Sequence, residues 1–180
     1  MSAVLASVLL AGCSAGSEGS QSPDTDTSST QTAPSEPTPE QSSRTAPVKS
    51  LEIGDQCSVL SEAQAQELGA DQAPRARESN GRPGCNYALG QAGTKFSVFV
   101  SVDKTETMKK LAAGKPGSQP TEVAGYPAVE VGIKTNCIVS LDISDQGQLF
   151  VNSSVSSGDP NPCDLAKRFA EAAVNNLPNG

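Results

Sequence analysis

Histidine and tryptophan are absent from this 180-residue chain, and two tyrosines and four phenylalanines supply all its aromatic bulk. Without an imidazole there is no His general base and no Ser-His-Asp arrangement. There is no Cys-x-x-Cys pair for zinc, no calcium-loop spacing and no Gly-x-x-x-x-Gly-Lys phosphate loop. The net charge of −7 and the lack of aromatic platforms exclude a nucleic-acid binder, which needs basic patches and stacking surfaces. Charge alone does not hold such a chain to an anionic membrane. No apolar run reaches the roughly 20 residues that span a bilayer as a helix. The expectation is therefore a protein that is not an enzyme and carries no cofactor or metal.

What is present begins at the N-terminus. Leu10-Ala11-Gly12-Cys13 follows the apolar stretch Val4–Leu10 and opens onto a polar, Ser/Thr-rich segment. This run resembles the lipobox of bacterial lipoproteins. The resemblance implies that residues 1–12 are a signal peptide, removed after the Cys13 thiol receives a diacylglyceryl group. Two or three palmitate-type chains then anchor the protein stably to the extracytoplasmic face of the cell membrane, which one chain does not. Met1 to Gly12 contains no Lys or Arg, so the basic start of the signal is expected upstream of Met1.

Residues 14–48 hold nine Ser, six Thr and five Pro, with Val48 the one large aliphatic. Such a segment cannot bury enough apolar surface to offset its ordering entropy, so 13–48 reads as a lipidated cysteine and disordered tether. A coil of this length spans roughly 30–35 Å, enough to lift a domain at 49–180 clear of the headgroups. Cys57, Cys85, Cys137 and Cys163 remain, an even and widely spaced set that reads as two disulfides in an exported domain. Of the three pairings, Cys57–Cys85 with Cys137–Cys163 is expected, because each bridge is local and ties one helix start to a strand. Hairpin geometry does not force it.

Ser61-Glu62-Ala63-Gln64 is a capping-box pattern, and Gly69 is placed to stop the helix it opens. Residues 70–84 read as a loop. Cys85–Leu89 and Lys95–Val102 alternate as a hairpin around Gln91-Ala92-Gly93. A second helix is expected from Thr105 to Ala113, capped by Asp103 with Glu106, and Pro116 to Pro120 reads as a linker. Three strands follow at 127–133, 135–143 and 148–155, the last two joined at Asp145-Gln146-Gly147. Asn161 caps a final helix with Pro162 at its first position and a stripe of Leu165, Phe169, Ala172, Ala173 and Leu177. The expected fold is α+β, a mainly antiparallel five-stranded sheet with helices packed on one face.

Laid out this way, the chain resembles a known family. The features are the lipobox and tether, Cys57-Ser58-Val59-Leu60-Ser61 opening a helix, and Cys85-Asn86-Tyr87 opening a strand. Val123-Ala124-Gly125-Tyr126-Pro127-Ala128 comes next, then Cys137 in mid-strand, and Asp159-Pro160-Asn161-Pro162-Cys163-Asp164-Leu165-Ala166 opens the last helix. The pattern is similar to the actinobacterial lipoproteins of the domain of unknown function 3558 family. That family often has Trp near the second cysteine, where this chain has Tyr87. A weaker likeness is to the extracytoplasmic sensor domains of actinobacterial serine/threonine kinases.

Candidate contact residues are few. Arg75, Arg77 and Arg82 form the basic cluster of the domain, suited to an anionic wall polymer or an acidic partner surface. Asp142 with Asp145, and Asp159 with Asp164, offer carboxylates to a cation, although strand-end, turn and cap roles fit them better. The functional expectation is a membrane-anchored, monomeric, non-catalytic module that binds or senses a cell-envelope protein or polymer. The alternative is a carrier of a small apolar ligand in a cleft between sheet and helices, which requires a dry cavity of a few hundred Å³.

Overall fold

A computed structural model describes residues 44–180. The expectations for the signal peptide, Cys13 and the tether up to residue 43 lie outside the described residues. In chain order the elements are α1 (Glu62–Glu67), β1 (Arg75–Ser79), β2 (Arg82–Leu89), β3 (Phe96–Asp103), α2 (Met108–Gly114), β4 (Gln119–Val123), β5 (Tyr126–Ile133), β6 (Asn136–Ser144), β7 (Gly147–Val155) and α3 (Pro162–Asn176). A short 3₁₀ turn, Gln56–Ser58, precedes α1.

The strands form one sheet, seven strands wide, in the order β1-β2-β3-β7-β6-β5-β4, with every neighbouring pair antiparallel. Two meanders, β1–β3 and β4–β7, meet where β3 pairs with β7 over eight residues, Phe96–Asp103 against Gln148–Val155. The sheet is wider than the five strands expected. The segment 70–84 is not all loop: Asn80 and Gly81, both at positive φ, turn β1 into β2. The segment after Pro116 is not all linker: Ala124 and Gly125, again both at positive φ, turn β4 into β5. Paired positive-φ residues are what a two-residue hairpin turn requires. Neither β1 nor β4 alternates apolar with polar residues, which is why both escape a periodicity reading.

The termini of α1 and α3 follow their sequence signals. Ser61 Oγ accepts from Gln64 N while Gln64 Oε1 accepts from Ser61 N, the reciprocal capping box. Asn161 Oδ1 accepts from the Cys163 and Asp164 amides. The start of α2 differs from expectation. Thr107 caps it, accepting from Lys110 N, while Asp103 ends β3 and turns its carboxylate onto the Thr105 amide and hydroxyl.

The core lies between one sheet face and α3. Val98, Val100, Val139, Leu141, Leu149 and Val151 point toward α3, whose Leu165, Phe169 and Ala173 are fully covered. Burying each large aliphatic or aromatic side chain is worth about 1.5–3 kcal/mol. Phe169 meets Tyr87 at 5.7 Å and Phe96 at 6.3 Å between ring centres. The α1 helix joins this face through Ala65. The α2 helix does not: Met108 and Leu111 pack on Phe99, Val129 and Phe150, which project from the opposite face. Helices therefore cover both faces, against the expectation of one, because Phe99 and Phe150 give the outer face an apolar patch of its own.

Residues 44–48, read as the end of the tether, are held by the domain. Thr45 and Ala46 donate to the Gly125 carbonyl, and Tyr126 Oη donates to Pro47 O at 2.6 Å. No helix among the described residues is long and apolar enough to cross a membrane.

Both disulfides form as expected. Cys57–Cys85 ties the 3₁₀ turn to β2, with Cα atoms 4.9 Å apart, and Cys137–Cys163 ties β6 to the first turn of α3 at 5.0 Å. They close loops of 28 and 26 residues. On the chain-entropy model each stabilises the fold by about 3–4 kcal/mol. Replacing Cys57 and Cys85 together with Ala should lower the unfolding free energy by that amount in a urea titration. A loss below about 1 kcal/mol would show that native packing, not chain restriction, sets the stability of this half.

Candidate functional site

The face of the sheet opposite α3 is where the chemistry-bearing side chains collect. Register alone places them in rows. Arg75 stands opposite Asn86, then Phe99, Asn152 and Ile138. The next row runs Ala88, Ser97, Ser154, Asn136 and Ile133. On the other side Arg77 stands opposite Gly84. Gly84 is required there: a Cβ would strike the Phe99 ring and the Val100 carbonyl. The Arg77 guanidinium sits 5.8 Å from the centre of that ring, within cation–π reach.

The α2 helix covers only part of this face. Beyond it, Asn86, Ser97, Asn136 and Asn152 are half-buried and Ser154 is exposed. Ser97 Oγ donates to Asn86 Oδ1 at 2.8 Å, and Asn136 Nδ2 donates to Asn152 Oδ1 at 2.9 Å. These pairs hold the side chains in place and leave further donors and acceptors facing solvent. Ile133, 70 % exposed at the end of β5, is the one large apolar residue presented at this margin.

The three arginines singled out in the sequence do not act as a cluster. Arg75 and Arg77 are exposed on β1, side by side on the outer face. Arg82 is committed elsewhere. Its Nε donates to Asp103 Oδ2 at 2.6 Å, its Nη2 pairs with Glu106, and its guanidinium lies 4.7 Å from the Phe150 ring centre. Asp103 is fully buried and also accepts from Gln148 Nε2 at 3.0 Å, and Gln148 Oε1 accepts from Ser140 Oγ. This chain of bonds crosses β2, β3, β7 and β6. Burial pushes the Asp103 carboxyl up, but hydrogen bonds from the Thr105 hydroxyl and amide, from Arg82 and from Gln148 outweigh it and hold the group below the usual carboxylate range.

Of the four aspartates, three have structural roles, and Asp159 is exposed in the loop before α3. Asp142 and Asp145 both pair with Arg44, Asp142 at 2.7 Å. Asp164 lies in the first turn of α3, where a carboxylate suits the helix dipole. Among the described residues no group of three or more His, Cys, Asp or Glu gathers to hold a metal ion.

A cleft of about 430 Å³ opens beside Arg75, lined by Gln72, Arg75, Asn86, Ala88, Gln91 and Gly93. Asp71, next to the lining residue Gln72, accepts from Gly90 N at 2.8 Å and from Gln72 Nε2 at 2.9 Å. The Gln72 amide and the Gly90 backbone hold the Asp71 carboxyl below its ordinary value. A smaller cleft of about 150 Å³ lies between the Asn80-Gly81 turn and α2, with Arg82 and Glu106 in its wall. The sequence reading missed Asn86, Asn136, Asn152 and Ser154. Their signal is an amide or hydroxyl at alternate positions of central strands, on the side away from the apolar stripe.

Fold and face together define a disulfide-stapled α+β domain with an apolar face covered by α3 and α1 and an outer face left half open and polar. The family described as protein of unknown function, DUF3558, has a model that matches residues 8–176, and the chain belongs to that family. No curated protein and no solved structure matches the chain.

The buried Arg82–Asp103 pair has a pH signature. A carboxyl whose folded pKa lies below its unfolded value of about 3.9 contributes stability above that value and loses it as pH falls through the folded pKa. Asp103→Asn should therefore cost about 1.5–3 kcal/mol near neutrality. The gap between wild type and variant should close below about pH 4. Thermal melts from pH 7 to pH 2.5 test this; a gap that stays constant with pH would show that Asp103 acts through packing and not through its charge.

Proposed function

We propose that this protein is a membrane-anchored lipoprotein on the extracytoplasmic side of the cell membrane, acting as a non-catalytic module that binds or senses a partner of the cell envelope. The observation that carries the binding reading is the open half of the outer sheet face. It is a preformed surface of Arg75, Asn86, Ser97, Asn136 and Asn152, rich in hydrogen-bonding groups, beside a solvent-open cleft. Rigid, exposed polar surfaces of this kind suit recognition. Nothing on it is arranged as nucleophile and base. Glu106, the carboxylate in the wall of the smaller cleft, is paired with Arg82, which also holds Asp103.

The anchor rests on Leu10-Ala11-Gly12-Cys13 and the Ser/Thr/Pro segment behind it, and on the resemblance to actinobacterial lipoproteins. The two disulfides support an oxidising compartment outside the cytoplasm. The carrier reading draws no support from the space it needs: between sheet and α3 the rings of Tyr87, Phe96 and Phe169 are in contact and buried.

Two measurements test the proposal. Cys13→Ser should move the protein from the membrane fraction to the medium or leave it uncleaved; a variant that stays membrane-bound and processed removes the anchor. In-cell crosslinking followed by mass spectrometry should capture an envelope partner through the outer face. Arg75→Glu with Arg77→Glu should cut its recovery at least tenfold, a change of about 1.4 kcal/mol. Recovery unchanged by the charge reversal would move the binding surface off this face.

A further inference from the structure

The two ends of the sheet are guarded differently. In a two-residue hairpin the residues flanking the turn exchange both backbone hydrogen bonds, and bonded pairs then alternate along the ladder. For β1 and β2 the flanking pair is Ser79 and Arg82. The backbone groups of Ser79, Arg77 and Arg75 therefore face β2, and those of Ala76 and Glu78 face away from the sheet. For β4 and β5 the flanking pair is Val123 and Tyr126, so Pro120 and Glu122 are the outward residues of β4. Pro120 has no N–H to offer, and proline at such a position blunts an edge. The β1 edge has no proline. The strand is exposed along nearly its whole length, and among the described residues no element pairs with its outer side.

We infer that the free edge of β1 accepts an extended acidic segment of a partner protein as an added strand, with carboxylates at alternate positions on Arg75 and Arg77. The inference rests on the reading of this face as the partner-binding surface. Arg75 and Arg77 lie on the same face two residues apart, about 6.6 Å along the strand. An added strand places every second side chain directly opposite them, close enough for charge pairing. Arg82 is spent on Asp103 and Glu106, while no ion-pair partner stands beside Arg75 or Arg77 among the described residues. Backbone bonds to Ala76 and Glu78 supply affinity in any such addition, and the alternate side chains supply the choice of partner.

Charge also selects against a second copy of this chain. Three antiparallel registers bring the outward residues of two β1 strands together. Pairing Ala76 with Ala76 sets Arg75 against Arg77. Pairing Ala76 with Glu78 sets Arg77 against Arg77. Pairing Glu78 with Glu78 sets the two carboxylates face to face. Each places like charges directly opposite one another, which is destabilising. A short charged edge protects against self-association; two arginines on one face further decide the sign of what adds.

The test uses the full chain carrying Cys13→Ser and a fluorescein-labelled peptide of alternating Glu and Thr, about eleven residues long, long enough to span a strand. Fluorescence anisotropy should show saturable binding at low salt that weakens as salt rises. A Lys-for-Glu peptide should not bind. The same acidic peptide N-methylated at alternate residues, made in both phases, keeps its charge and loses its outward N–H groups. One phase should bind at least tenfold more weakly. Ala76→Pro, accepted only with an unchanged melting temperature, should have a similar effect. Exchange of the Ala76 and Glu78 amides should slow about tenfold on binding, since they become hydrogen-bonded. Absence of peptide binding overturns the inference. So does binding that needs Arg75 and Arg77 but ignores N-methylation and Ala76→Pro, the behaviour of a polyanion such as a wall polymer on a basic surface. That second outcome leaves the face as the partner site. Only an envelope partner indifferent to Arg75→Glu with Arg77→Glu removes the face itself.

Discussion

The pairing of β3 with β7 is the constraint on which the rest of this fold depends. It joins two locally formed meanders by bringing Phe96 opposite Val155 and Asp103 opposite Gln148. Every other strand pair closes through a short connection, so its ordering entropy is small. The β3–β7 pair closes a loop that includes α2 and three strands. Neither disulfide spans it: Cys57–Cys85 lies in the first half and Cys137–Cys163 in the second. The joint is held by backbone bonds, by the valines and leucines beneath α3, and by the Arg82–Asp103–Gln148–Ser140 chain. A buried carboxylate at such a seam is costly unless fully partnered. Asp103 meets that condition with Thr105, Arg82 and Gln148, so it specifies register while the apolar residues supply stabilisation.

The same joint explains the difference between the faces. On the inner face β3 and β7 carry Val98, Val100, Leu149 and Val151, sealed by Phe169 and its neighbours in α3. On the outer face the alternate residues are Ser97, Phe99, Ser101, Phe150 and Asn152. The two phenylalanines meet edge to face at 6.4 Å between centres and seat α2. A helix of seven residues cannot cover a sheet this wide. The uncovered remainder is polar because strand period puts Asn86, Asn136 and Asn152 there, and it stays ordered because those amides are bonded to neighbours.

Most of the sheet was legible from alternation, and α1 and α3 from their caps. Both disulfides followed from the way each cysteine pair joins a helix start to a strand. The edge strands were not legible, since Arg-Ala-Arg-Glu-Ser and Gln-Pro-Thr-Glu-Val carry no buried stripe; Asn80-Gly81 and Ala124-Gly125 were their only local signals. The side on which α2 docks was written in Phe99, Val129 and Phe150, apolar residues in the polar phase of their strands, but one sequence does not show that these three meet. Arg82 looked equivalent to Arg75 and Arg77, because its separation from them depends on Asp103 at the end of β3 and Glu106 just after it. Of the candidate site, the charge was legible and the division of labour among the arginines was not.

That division separates stability from recognition. Arg82 stands in the network across the joint, so a change there alters folding as well as any binding nearby. Arg75 and Arg77 project from a strand that adds almost nothing to the core, and exposed substitutions of this kind usually shift stability by within about 0.5 kcal/mol. Arg77 rests on Phe99, a surface cation–π contact worth about 0.5–1 kcal/mol, so Arg75 is the cleaner of the two. The edge they line is open because the sheet is finished elsewhere: Pro120 blunts the other margin, and residues 44–48 fasten the β4–β5 turn. A fold that closes one margin with proline and leaves the other carrying two unspent arginines can gain a strand without disturbing what holds it together.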